Sequence, residues 1–158
     1  MKYRYAYIII LSCLFFSGCA SSKKSSISNN ELPATSLQPY GRYLIFDAQH
    51  DLELISSAVH FGFGFTGKEC TIYAYINDAS GHNYLQYELD GVYQKRIKVL
   101  GGSVQSIILT ANTDGQHKIE IYKATEATTG PIIIQKITGK NVHAIKPSNE
   151  TLIEFIGN

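Results

Sequence analysis

Apolar and polar residues alternate along most of the chain from Pro39 onward. In the segment from Val59 to Phe65 (VHFGFGF), the alternation predicts a strand with an aromatic face toward a core and a small-residue face on the other side. The segment from Cys70 to Ile76 alternates in the same way, with small and aliphatic residues on one side and Tyr73 and Tyr75 on the other. The pattern indicates half-buried β-strands.

Turn residues separate these segments at short intervals. Asp90-Gly91 is a strong hairpin signal, because a type I′ turn needs positive φ at both central residues. About seven or eight short strands without a helical pattern favour an all-β fold, an antiparallel β-sandwich. Besides the two segments above, the predicted strands are Tyr84–Leu89, Val92–Val99, Val104–Thr110, Lys118–Lys123 and Pro131–Ile137.

The N-terminus has the pattern of a secretory signal. Lys2 and Arg4 precede an apolar run, Ala6 to Phe16, that is too short to span a bilayer. The run ends in FSGC, which resembles a bacterial lipobox, so residues 1–18 are predicted to be a lipoprotein signal peptide and Cys19 the lipidated residue. An ordinary signal peptide, with Cys19 a bystander, is the alternative.

The segment from Cys19 to Gln38 is rich in serine and has almost no apolar periodicity, so it is predicted to be a flexible tether. A lipid on Cys19 would anchor the protein to a membrane. Ala20 follows the cysteine where an Asp often retains lipoproteins at the inner membrane, which favours the outer membrane and the cell surface.

Charge and cysteine content exclude several classes of function. The net charge of +1 gives no indication of a nucleic-acid partner. After removal of the signal and lipidation of Cys19, Cys70 is the remaining thiol, and no spacing suggests a metal site or a cofactor. No nucleophile elbow, zinc-protease helix or phosphate loop is present, and the five histidines are scattered singly.

The tyrosines give the one candidate ligand-binding feature. The chain has 11 Tyr, 7 Phe and no Trp. Tyr73 and Tyr75 share a strand face and Tyr87 lies near the predicted hairpin, so these three could stack on sugar rings. Tyrosines also stabilise sheets by cross-strand pairing, and the absence of Trp favours this structural role.

Several of these strands together resemble a known family. GRYLIFD (Gly41 to Asp47), SSAVHFGFGFTGKEC (Ser56 to Cys70), YLQYELDG (Tyr84 to Gly91) and DGQHKIEIYKATEA (Asp114 to Ala127) follow in the order and spacing of the N-terminal jelly-roll domain of carbohydrate esterase family 2. The resemblance implies a jelly-roll β-sandwich over residues 39–145. In that family it is followed by a catalytic domain of the SGNH (GDSL-like) type that removes acetyl groups from plant polysaccharides.

The resemblance also bears on the end of the chain. TLIEFIGN (Thr151 to Asn158) is similar to the first strand of the SGNH domain, so residues 146–158 are expected to be the start of that domain. The family's nucleophilic serine, oxyanion donors and Asp-x-x-His pair would lie beyond Asn158, so no catalytic residue is assigned. Acyl transfer needs those groups.

Three functions remain open from the sequence. The first is the non-catalytic sandwich of a surface-anchored acetyl xylan-type esterase, packing on the catalytic domain in cis and close to plant polysaccharide. The second is a free-standing carbohydrate-binding lipoprotein of the cell surface. The third is a structural lipoprotein without a ligand.

Overall fold

The computed structural model describes residues 30–46 and 48–146. Within them the chain forms antiparallel β-structure with two short 3₁₀ turns, Ala34–Ser36 and Ala127–Thr129, which confirms the predicted all-β sandwich. The strands in these residues are β1 (Glu31–Pro33), β2 (Tyr43–Phe46), β3 (Asp51–Leu54), β4 (His60–Tyr75), β5 (His82–Leu89), β6 (Val92–Tyr93), β7 (Ile97–Leu100), β8 (Gln105–Thr110), β9 (Gln116–Lys123) and β10 (Ile132–Ile145).

Two long strands, β4 and β10, pair with each other and belong to both layers of the sandwich. In the first layer, residues 60–66 of β4 pair with β9, and β9 pairs with β5, which carries β6 and β7 along its other edge. In the second layer, residues 69–74 of β4 pair with β8, while the N-terminal half of β10 pairs with β3 and β1, and β3 pairs with β2. Each layer therefore buries one face against the other.

The core lies between these layers. Its largest buried side chains come from alternate positions of the central strands, as the period of two requires. The residues at these positions include Phe61, Phe63, Phe65, Ile72, Leu52, Leu54, Leu85, Ile119, Ile121, Ile132 and Ile134.

The β4 strand differs from the prediction, which had separate strands at Val59–Phe65 and Cys70–Ile76. The structure has one continuous strand, His60–Tyr75. The inward-facing residues change from odd to even numbers along it, from Phe65 to Cys70, and Gly67 between them has φ +103°. An irregularity of this kind re-aims the side chains while the strand passes from one layer to the other.

The predicted hairpin is present at Asp90-Gly91. Asp90 has φ 52° and Gly91 has φ 79°, the left-handed values that a type I′ turn needs. The turn joins β5 to β6, and the predicted strand Val92–Val99 is split into β6 and β7.

The prediction that residues 19–38 form a tether is wrong for its last part. Strand β1 pairs with β10, and Leu32, Ala34 and Leu37 are buried in the core. These three apolar residues are spaced too irregularly to show a strand pattern, but their burial offsets the cost of ordering the segment. The folded domain therefore begins near Glu31 and not at Pro39.

Several predictions lie outside the described residues. They concern the signal peptide at 1–18, the lipidated Cys19, the tether up to residue 29 and, apart from Lys146, the expected start of a further domain at 146–158. In the part of the chain that the structure describes, no helix has the length and hydropathy needed to cross a membrane.

Candidate functional site

A trough runs along the outer face of β4 in the first layer. Its floor is formed by Gly62 and Gly64, which alternate with the inward-facing phenylalanines and are themselves buried because side chains of the neighbouring strands cover them. A Cβ on Gly62 would lie 3.0 Å from the carboxylate of Glu120, and one on Gly64 would lie 2.5 Å from the His143 ring. The glycines thus let side chains of β9 and β10 lean over β4. We call this feature the glycine trough.

A row of rings crosses one end of the glycine trough. Tyr40 stacks on His60 with centroids 5.3 Å apart, and His60 lies 5.1 Å from the ring of Tyr122. Tyr93 follows, with its centroid 6.3 Å from that of Tyr122. The register sets this order, because His60 is the direct partner of Tyr122 and forms an isolated bridge with Tyr40.

Two carboxylates lie beside the rings. Glu88 of β5 is the direct cross-strand partner of Glu120 of β9. The Tyr122 hydroxyl donates a hydrogen bond to Glu88 Oε1 at 3.1 Å, and Lys118 Nζ lies 2.8 Å from Glu120 Oε1. Burial, and then the bond to Glu88, raise the pKa of Tyr122, while hydrogen bonding to Glu88 raises that of Tyr93. Both phenols therefore stay neutral donors at physiological pH.

The glycine trough holds two adjoining hollows. The first, of about 330 Å³, is lined by Tyr40, His60 and Tyr122 of the ring row, by the two glutamates and by Gly62. The second, of about 460 Å³, is lined by Gly64, His117 and His143, and both include Lys118 and Ile145 in their walls. The space is therefore elongated along the strand direction.

The predicted tyrosines do not form one platform. Tyr73 and Tyr75 lie on the second layer, where Lys136 Nζ sits 5.3 Å from the Tyr73 ring centroid and the Tyr75 hydroxyl donates to Asp51 Oδ2 at 3.0 Å. Tyr87 lies on the inner face of β5 and packs against the core, and burial raises its pKa. Sugar contact by these three remains a prediction.

Sequence reasoning missed the residues of the glycine trough. The small-residue face of β4 was recognised, but its neighbours Glu120 and Tyr122 come from β9, about 60 positions further along the chain. The available signal was the alternation of Ile119 and Ile121 with these polar residues, which places them outward on the same layer.

The KATEA segment (Lys123–Ala127) has a structural role. Lys123 is buried, and its ammonium donates to the carbonyls of Thr125 at 2.9 Å and Glu126 at 2.7 Å. The Thr125 hydroxyl donates to Asn83 Oδ1, and Asn83 Nδ2 donates to the Gly130 carbonyl at 2.9 Å. Glu126 holds this loop through its backbone carbonyl, while its exposed carboxylate is 3.5 Å from the Ser57 hydroxyl.

The acidic, histidine and cysteine side chains of residues 30–46 and 48–146 are of the types that a metal site or a reactive thiol needs. No group of three or more His, Cys, Asp or Glu side chains there could hold a metal ion. Cys70 is buried, and burial raises the pKa of its thiol to about 12, so it is protonated at neutral pH.

Comparison with known proteins identifies the family. The sequence profile described as carbohydrate esterase 2 N-terminal matches residues 40–148, which is most of the chain. The chain therefore belongs to the carbohydrate esterase 2 N-terminal family, as the ordered strand motifs indicated. A search of curated protein sequences found no match.

Solved structures support the same fold. A family two carbohydrate esterase from Cellvibrio japonicus matches with a TM-score of 0.60 and 18% identity over 73% of this chain and 34% of that protein. An acetyl xylan esterase from Butyrivibrio proteoclasticus matches with a TM-score of 0.57 and 14% identity, over 75% of this chain and 33% of that one. The chain thus spans about a third of the length of these esterases.

A shorter protein with a similar fold is the carbohydrate-binding module CBM36, whose structure was solved in complex with calcium and xylotriose. It matches with a TM-score of 0.53 and 10% identity, over 73% of this chain and 98% of the module. At these identities the likeness concerns the fold.

Proposed function

We propose that this chain is the non-catalytic sandwich of a surface-anchored carbohydrate esterase and that it supports an SGNH-type deacetylase domain encoded after it. The observation that carries the proposal is the family match over residues 40–148, which coincides with the sandwich and ends where the apolar TLIEFIGN segment follows. The matched segment makes up about a third of each solved esterase, which leaves room for such a domain.

The geometry fits a supporting role for the sandwich. Ile145 and Lys146 line the first hollow of the glycine trough, and the chain continues from Lys146 into residues 147–158. The last described residue of the chain, Lys146, therefore lies at this face. Acyl transfer needs a serine hydroxyl paired with a histidine. The Ser57 hydroxyl instead donates to the Glu126 carboxylate, and the Ser80 hydroxyl donates to the Asp78 carboxylate.

Sequencing the gene past codon 158 tests this proposal. We expect an open frame that continues with the nucleophilic serine and, later, an Asp-x-x-His pair. The extended protein should release acetate from acetylated xylan, while its Ser→Ala variant and the 158-residue chain should not. A stop codon after Asn158 without an esterase-like frame downstream would refute the proposal and favour a free-standing carbohydrate-binding lipoprotein.

We also propose that Cys19 carries the lipid that anchors the protein at the outer membrane. The FSGC motif and the preceding apolar run support this. Cells fed labelled palmitate should label the wild-type chain but not a Cys19→Ala variant. Equal labelling of the two proteins would exclude Cys19 as the anchor.

A further inference from the structure

We infer that the glycine trough is a binding site for a neutral pyranose chain. Its shape comes from the sheet, because Gly62 and Gly64 add no side chains to the outer face of β4, so Glu120 of β9 and His143 of β10 lie over them and line the two hollows. The two hollows adjoin along the strand, so the space suits an elongated ligand.

The chemistry of the walls matches a sugar. Tyr40, His60 and Tyr122 are partly exposed and pack on one another in a row, and the exposed part of this row can contact the apolar C–H face of a pyranose ring. Glu88 and Glu120 lie beside this row, and a carboxylate offers about four acceptor sites, more than their contacts with Tyr122, Tyr93 and Lys118 occupy. Sugar hydroxyls can fill the remaining sites.

The placement of the two glutamates supports a ligand-binding role. Glu88 and Glu120 are direct cross-strand partners, and like charges in this position destabilise a sheet. The tyrosine hydroxyl and the Lys118 ammonium offset part of this cost. An unfavourable charge pair of this kind on a ring-lined face is typical of a functional site.

The charge of the walls selects the class of ligand. The first hollow is lined by two carboxylates, Glu88 and Glu120, and by two ammonium groups, Lys118 and Lys146, and Lys118 is paired with Glu120, so these groups give it no excess of positive charge that would attract an anionic polymer. We therefore expect neutral xylo- or cello-oligosaccharides to bind in preference to a polyuronate. The choice of these neutral probes rests on the proposed function; the site itself does not require a catalytic domain.

The test is a titration of the purified chain with xylohexaose, cellohexaose and hexagalacturonate, followed by calorimetry and by ¹H–¹⁵N NMR. We expect saturable binding of a neutral hexasaccharide, weaker or absent binding of hexagalacturonate, and shift changes centred on the amides of Gly62 and Gly64. No saturable binding of either neutral sugar, or shift changes centred on Tyr73 and Tyr75, would overturn the inference.

Matched variants locate the site. Tyr122→Ala should weaken binding about tenfold, which corresponds to ~1.4 kcal/mol, whereas Tyr122→Phe keeps the ring and should weaken it less. Tyr73→Ala, on the other layer, is the control and should bind like wild type. Unchanged binding by Tyr122→Ala with an unchanged melting temperature would contradict the inference, and the NMR map of the wild type tests it even if that variant fails to fold.

The two proposals can fail separately. If the gene encodes an esterase domain but the chain binds no neutral sugar, the trough inference falls and the supporting role stands. If a stop codon follows Asn158 and the sugar binds, the supporting role falls and the trough inference stands.

Discussion

At the scale of single residues, Lys123 shows how a charged side chain contributes to the interior of this sandwich. Its relative exposure is 1%, and its ammonium donates to two carbonyls of the loop that follows β9. Burial lowers the pKa of the ammonium, and the nearby Glu126 charge acts in the opposite direction. The hydrogen bonds compensate the ammonium for the water that it loses.

We predict that Lys123→Met lowers the free energy of unfolding by about 2 to 3 kcal/mol, because two carbonyls lose a charged donor in a buried setting. Urea unfolding monitored by tyrosine fluorescence measures this. The control is Lys136→Met, which removes an exposed and solvent-screened ion pair with Glu31 at 2.9 Å and should change the unfolding midpoint much less. Equal effects of the two substitutions would contradict this account of the loop.

His117 ties the β5–β6 hairpin to the neighbouring turn. Its Nδ1 lies 2.8 Å from Asp90 Oδ2 and its Nε2 lies 3.0 Å from the Thr113 carbonyl, so both ring nitrogens face acceptors. The bond to Asp90 is the main cause that raises the pKa of His117. At Asp90, burial favours a higher pKa, but the Lys118 backbone N–H and His117 outweigh it and lower the pKa.

The pH dependence follows from the direction of the His117 shift. A raised native pKa means that the pair stabilises the fold fully below the ordinary value of 6.5 and that this contribution is lost as pH rises through the native pKa. The melting temperature of wild type relative to His117→Gln should therefore be higher at pH 5.5 than at pH 9. A difference between the two proteins that does not change with pH would show that His117 is not charged in the native hairpin.

At the scale of elements, the β5–β6 turn requires Gly91 for its backbone conformation and not for the space around it. A Cβ on Gly91 would meet nothing within 4 Å, so any cost of adding one comes from its φ of +79°. We predict that Gly91→Ala costs about 1 to 2 kcal/mol. Gly115→Ala is the control, because its Cβ would make ordinary contact, 3.9 Å from His117 Nε2, without positive φ. Thermal unfolding of both variants decides between conformational and steric causes.

Strand existence was predictable, and strand continuity was not. The alternating segments gave the central strands and the Asp90-Gly91 turn because period two and turn chemistry are local properties. The joining of two predicted strands into β4 depends on pairing with β10 along its whole length, which involves residues about 70 positions away. A larger distance in sequence hid β1, which pairs with β10 at the other end of the domain's sequence.

At the scale of the whole molecule, the candidate site could be predicted only in part. The outward-facing small residues of β4 were visible in the sequence, but the glycine trough needs Tyr40, Glu88 and His143 from three other segments. Their placement depends on the order of strands in the layer, which short patterns do not determine. Tyr73 and Tyr75 were identified because they are neighbours in sequence.

The N-terminal boundary of the fold gives a prediction at this scale. A chain that begins at Asn30 keeps β1 and the first 3₁₀ turn, so its free energy of unfolding should stay close to that of the full chain. A chain that begins at Pro39 loses the buried Leu32, Ala34 and Leu37, and should lose about 4 kcal/mol or more. Thermal denaturation of the two proteins tests this, and equal stabilities would restore the tether as predicted up to Gln38.

The C-terminal segment provides the matching experiment. Leu152, Ile153, Phe155 and Ile156 form an apolar run of the kind expected in a buried parallel strand, which the proposed function assigns to a catalytic domain. If that domain is the natural partner of the run, ending the chain after Lys146 should leave the melting temperature nearly unchanged and raise solubility. A large loss of stability would mean that the run packs into the sandwich itself, and the supporting role proposed here would then lose its sequence basis.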